Sequence, residues 1–110
     1  MTEPTRTSIA EAHAALARAD DGLYAVLVSR PELELGFYKP QLEDGQKPHD
    51  RDEIYIVASG SGRFVCDGES RDFAAGDALF VRAGVSHHFE SFSDDFSTWV
   101  MFGGRSTEST

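Results

Sequence analysis

Apolar positions recur at helical spacing near the start of the chain. Ile9, Ala12, Leu16 and Ala19 fall on one face, with charged and small residues on the other. Ser8 followed three residues later by Glu11 is a capping box, in which each side chain satisfies a backbone donor at the helix start. The spacing predicts one short helix over residues 8–19, ended by Asp20-Asp21-Gly22. His13 sits on this helix with no other candidate ligand beside it and reads as a surface histidine.

From residue 23 the pattern changes to short apolar runs rich in Val, Ile, Phe and Tyr. Strands are predicted over 23–29, 32–39, 53–58, 62–66, 70–73, 78–82, 87–92 and 98–102. Asp67-Gly68 is a two-residue hairpin signal, because such a turn needs positive φ. Asp44-Gly45 and Gly60-Ser61-Gly62 mark further turns. Many short strands after one helix predict an antiparallel sandwich or barrel. The boundaries divide the chain into an N-terminal segment with the helix (1–22), a β domain (23–102) and a polar tail expected to be disordered (103–110).

Composition narrows the function classes. The chain of 110 residues is one domain, and its net charge of −9 argues against a phosphate-backbone partner and against anionic membrane surfaces. Glu3, Arg6, Glu11 and Arg18 interrupt any apolar run at the N-terminus, so no signal peptide is read there and a cytoplasmic protein is expected. The single cysteine, Cys66, excludes an intramolecular disulfide and reads as a small buried hydrophobe rather than a nucleophile.

Two polar clusters interrupt the β pattern. On one continuous strand His49 and Glu53 would lie about 13 Å apart, too far for one ion. If Asp50-Arg51-Asp52 reverses the chain, His49 ends one strand, Glu53 opens the next, and the side chains converge. Alternation puts Glu53, Tyr55 and Val57 on one face. An inward carboxylate is costly without a partner, and a metal ion or an arginine removes that cost. In the second cluster, His87 shares a face with Phe89 and is read as inward, whereas His88 shares a face with Glu90 and is read as solvent-facing. Ser86 beside His87 is no catalytic triad, since neighbouring strand residues point oppositely. Imidazole and carboxylate at two strand mouths point to a metal site, with a purely structural cluster or an organic-ligand pocket without metal as the alternatives. Asp52 is a weaker alternative carboxylate.

These spacings resemble the cupin superfamily. His49, three residues, Glu53, and six residues to Gly60 match the second half of its first motif. Gly76, five residues, Arg82-Ala83-Gly84, two residues and His87 match its second motif. The resemblance implies an antiparallel double-stranded β-helix, the cupin jelly-roll barrel, all-β apart from the short helix. It also implies the ligand set His49, Glu53 and His87 around Fe, Mn, Ni or Zn. The chain departs from the pattern at Lys47, where the first histidine of the family falls, at Arg82 for its proline and at Ser91 for its asparagine. Gln46 or water is then a candidate replacement ligand, and Lys47 a candidate ammonium in the site. Tyr55, Phe64, Phe80, Phe89 and Trp99 are candidate pocket walls.

The resemblance implies either a metal-dependent oxygenase or isomerase acting on a small polar metabolite, or a non-enzymatic domain that binds an anionic metabolite through Lys47 and Arg82. A homodimer is expected, with the apolar strands 23–29 and 32–39 covered by a partner.

Overall fold

The computed structural model describes residues 4–44 and 48–104. Helix α1 spans Ile9–Arg18, and eight strands follow: β1 Tyr24–Arg30, β2 Leu33–Tyr38, β3 Asp52–Ser59, β4 Ser61–Cys66, β5 Glu69–Ala74, β6 Ala78–Val81, β7 His87–Glu90 and β8 Ser97–Gly103. All eight predicted strands are present. The seventh stops early because Ser91 adopts φ 53°, and the last runs on to Gly103, which therefore belongs to the sheet rather than to the tail. Residues 105–110 lie outside the described part.

The strands form two antiparallel sheets, one in the order β1-β2-β8-β3-β6 and the other β5-β4-β7. Sequence neighbours and distant strands alternate in these orders, so the chain repeatedly crosses between sheets, as a jelly roll does. The hairpin at Asp67-Gly68 has positive φ at both residues (53° and 81°) and closes the Cys66–Glu69 pair. Among the described residues no helix is long and apolar enough to cross a membrane.

Two apolar clusters follow from strand alternation. Between the sheets, Tyr55, Val57, Phe64, Phe73, Val81, Phe89, Phe96 and Val100 are buried together. On the outer face of the five-stranded sheet, Ala12 and Leu16 of α1 pack on Ala25 and Phe37, with Trp99 against them. The capping box forms as predicted, with Ser8 and Glu11 bonded reciprocally. Ile9 stays 47% exposed in the first turn, so the buried stripe begins at Ala12. His13 is exposed, its ring edge against Phe37. After the helix, Asp21 accepts the N–H groups of Leu23 and Tyr24 and aims the chain into β1.

Candidate metal centre and chamber

Four neighbouring strands meet at one end of the interior. β8 pairs with β2 and β3 so that Glu34, Phe102 and Glu53 stand opposite one another in a row, with Val81 of β6 completing it. In antiparallel register, directly opposed residues share a face, so this row faces inward. Glu53 is 2% exposed and Tyr55 fully buried, whereas Asp52 and Ile54 point outward. The alternation read from the sequence is thus the one adopted.

His49 arrives by a different route from the one expected. It does not end a strand; it lies in the irregular connection before β3, held by the Gly84 N–H donating to its carbonyl oxygen (2.7 Å). Its ring rests edge-on against Phe102 and tilts against His87. Asp52, meanwhile, accepts the N–H of Ala83 and fastens β3 to the Arg82-Ala83-Gly84 turn, which is a structural task. The two turn motifs of the sequence therefore hold each other, and each delivers one histidine.

The result is a compact group. His87 Nε2 lies 3.1 Å from Glu53 Oε1, and His49 Nε2 lies 3.9 Å from the same oxygen. One ligand atom from each of the three residues lies within 4.8 Å of the others. His87 Nδ1 sits 3.0 Å from the carbonyl oxygen of Val85. A carbonyl only accepts, so Nδ1 carries a proton, and the neutral ring turns the Nε2 lone pair toward Glu53 and Tyr55. Burial alone lowers the pKa of His87, but the contact with Glu53, the bond to Val85 and the negative charge of Glu53 outweigh it and raise the value. His88 is on the outside, against Glu90.

Neither carboxylate oxygen of Glu53 has a hydrogen-bond partner among the described residues, although both are buried. A buried carboxylate left in this state is destabilising, and a cation coordinated by both histidines removes the deficit. The donor set of two imidazoles and one carboxylate suits Fe, Mn, Ni or Zn. The residues present therefore fit a divalent metal.

The group opens into a chamber of ≈ 570 Å³ walled by Tyr24, Glu34, Tyr38, His49, Glu53 and Phe102, among others. Tyr24 Oη donates to Glu34 Oε2 (2.8 Å), and Tyr38 Oη donates to Asp44 Oδ1 (2.5 Å). Burial first, then these carboxylates, push both phenols well above their ordinary pKa, so both remain donors. Asp44 also accepts the N–H of Phe89 and ties the loop after β2 to the free edge of β7.

Several expected pocket walls are elsewhere. Tyr55 lines the chamber. Phe64 and Phe89 lie behind it, in ring contact with Tyr55, as core. Phe80 is 61% exposed on the outer face, because its register partner is the outward Ile54. Trp99 lies under α1, opposite Phe37. Gln46 and Lys47 lie outside the described residues. Arg82 is exposed and does not line the chamber, so it cannot neutralise Glu53 there. Cys66 is half-buried, its thiol raised by burial and by Asp67 and Glu69, which makes it a poor nucleophile.

The walls missed by sequence reasoning are Tyr24, Glu34 and Tyr38. One signal pointed there: Gly36 in the middle of a strand, a frequent mark of close approach to the backbone. A Cβ on Gly36 would come within 2.2–2.5 Å of the hydroxyl end of the Tyr24 ring.

Known proteins agree with this architecture. An uncharacterised protein of Streptomyces coelicolor is 35% identical over 86 residues, covering 76% of this chain and 82% of the other. Among solved structures, KdgF of a Halomonas species superposes with TM-score 0.65 at 21% identity, covering 76% of this chain and 79% of that one. A predicted oxalate decarboxylase of Thermotoga maritima gives TM-score 0.60 at 24% identity, covering 74% and 78%. At such identities these structures establish the fold alone. Residues 36–102, which run from the second half of β2 into β8 and carry the three converging side chains, match the Cupin domain family, and to that family this chain belongs.

Proposed function

We propose that the protein holds a divalent metal through His49, Glu53 and His87 and carries out metal-dependent chemistry on a small polar molecule in the adjoining chamber. The observation that carries this is Glu53, buried, with no hydrogen bond to either oxygen among the described residues and two imidazole nitrogens within 3.9 Å. The metal would supply Lewis acidity, or activation of dioxygen if it is iron. Three protein ligands leave coordination positions for the ligand's own oxygens. Val85 fixes the tautomer of His87, Phe102 holds the ring of His49, and the aromatic core behind Tyr55 excludes water from the buried side. An oxygenase or an isomerase is the reaction class in keeping with this set. The name of the Thermotoga maritima neighbour, a predicted decarboxylase, adds a third lyase-type option at the same kind of centre.

The deciding experiment is elemental analysis of untagged protein purified without chelator, beside His87→Ala and His88→Ala. Near-stoichiometric Fe, Mn, Ni or Zn in the wild type and in His88→Ala, lost in His87→Ala, is the expected result. Equal metal content in all three proteins would refute the assignment.

The assembly we propose is a homodimer through the outer face of the five-stranded sheet. Leu33, Ile54 and Phe80 are 49%, 38% and 61% exposed on the part of the structure that α1 does not cover. A two-fold axis through an apolar sheet face brings the same surface from both subunits together.

A further inference from the structure

The chamber has a second polar end that the metal reading does not use. Gly36 stands in the inward row of β2 between Glu34 and Tyr38. Its lack of a side chain lets the ring of Tyr24 lie flat on the sheet. From there the Tyr24 hydroxyl reaches Glu34 and occupies Oε2. That leaves Oε1 to accept from something inside the chamber. Two strands away in the same register row, Glu53 is buried with no hydrogen bond to either oxygen among the described residues. Two adjacent strand spacings put the Glu34 and Glu53 backbones about 10 Å apart. Asp21 adds a further carboxylate to the wall, and no lysine or arginine lines it among the described residues.

We propose that Glu34 is a recognition carboxylate for a ligand bearing an ammonium group, which it binds against the face of Tyr24. The reasons are complementary. An ionised carboxylate only accepts, so its partner must donate. A chamber walled by carboxylates repels anions and concentrates cations. A cation beside an aromatic face gains further attraction from the ring quadrupole. A charge-assisted hydrogen bond of this kind is stronger than a neutral one. The inference uses the chamber and not the metal, so it stands or falls apart from the metal assignment.

The test is a titration of chelator-treated, metal-free protein with three probes of equal length: n-butylammonium, 1-butanol and butyrate. Binding is followed by the amide NMR shifts of residues 24 and 34. The ammonium is expected to bind at least about tenfold more tightly than either of the others, and Glu34→Gln is expected to lose about tenfold or more of that affinity. Glu53→Gln is expected to lose less than Glu34→Gln, because its carboxylate adds to the field of the chamber from a backbone about 10 Å away and makes no direct hydrogen bond to the ammonium. Should Glu34→Gln fail to fold, Glu34→Asp keeps the charge but withdraws it by one methylene. It should weaken the ammonium and leave butanol unchanged. Equal binding of butanol would make the site a neutral donor site and overturn the proposal. So would a preference for butyrate, no binding of the ammonium, or a loss confined to Glu53→Gln.

Discussion

Tyr55 and Glu53, two residues apart on the same face of β3, both reach the one ring nitrogen His87 Nε2 at 3.1 Å. In the metal-free protein the tyrosine hydroxyl is therefore a competitor for the lone pair that a metal would take. Tyr55→Phe removes the competitor and keeps the ring that packs on Phe64 and Phe89. The variant should lose about 1 kcal/mol of metal-free stability, the net worth of one buried hydrogen bond. Its metal affinity should tighten by about fivefold, the same free energy returned on binding. Chemical denaturation in chelator and a competition titration with a metal dye measure the two quantities. Weaker metal binding in the variant would show that Tyr55 supports the centre instead.

The raised pKa of His87 predicts opposite pH trends with and without metal. When the ring takes up a second proton its Nε2–H faces the Glu53 carboxylate, so the folded value lies above the ordinary 6.5. The stability this contributes is fully present below the unfolded value of about 6.5 and is lost as pH rises through the higher folded value. A metal needs the neutral ring and competes with that same proton. Metal-induced stabilisation should therefore grow as pH rises above 6.5. Thermal unfolding across that range, in chelator and in excess zinc, tests both slopes. A metal-induced shift that does not change with pH would show that His87 is not among the ligands.

Much of this centre was legible in the sequence because it depends on local rules. Alternation alone places Glu53 inward and Asp52 outward, and it separates His87 from His88. The capping box of Ser8 and Glu11 and the Asp67-Gly68 hairpin are equally local. The far wall of the chamber was not legible, because Glu34 meets Glu53 only through β8, a strand more than sixty residues later in the chain. Phe80 and Trp99 were misplaced for the same reason. Which face of β6 or β8 is inward depends on the register with β3, and that register puts Phe80 beside Ile54 and Trp99 beside Ile56.

Gly36→Ala probes that non-local packing. The new methyl group must push the Tyr24 ring off the sheet, and backbone on the other side of the strand is held in register by both β1 and β8. Overpacking of this kind costs about 1–3 kcal/mol. The Tyr24–Glu34 hydrogen bond should break with it. Equilibrium denaturation gives the cost, and tyrosine fluorescence or the ring resonances of Tyr24 report the displacement. Wild-type stability with an unmoved Tyr24 would mean that the ring does not lie where the close approach of Gly36 puts it.

The dimer proposal rests on Ile54 and Phe80, register partners that expose apolar side chains on neighbouring strands. Phe80→Asp places a charge on that face at the β6 edge in both subunits, and the two-fold axis doubles the penalty. The mass by light scattering should fall from a dimer to a monomer of 12.1 kDa, with the fold retained by circular dichroism. A wild type already monomeric at high concentration would dispose of the proposal.

Glu53→Gln sets function against stability at one position. Above the folded pKa of His87 the neutral ring no longer offers Glu53 a charge, and the buried carboxylate is left without a hydrogen bond. Replacing it by an isosteric neutral amide removes the cost of burying that charge. At a pH above that value the metal-free variant should be more stable than the metal-free wild type, by about 1–3 kcal/mol. Below pH 6.5 the order should narrow or reverse, because the variant forfeits the pairing with the charged imidazole. In metal the ranking should invert outright, since an amide oxygen is a much weaker ligand for the centre. Denaturation curves of both proteins, with chelator and with zinc, give all the comparisons. A variant less stable than the wild type in chelator at high pH would show that Glu53 is satisfied by something other than a bound cation.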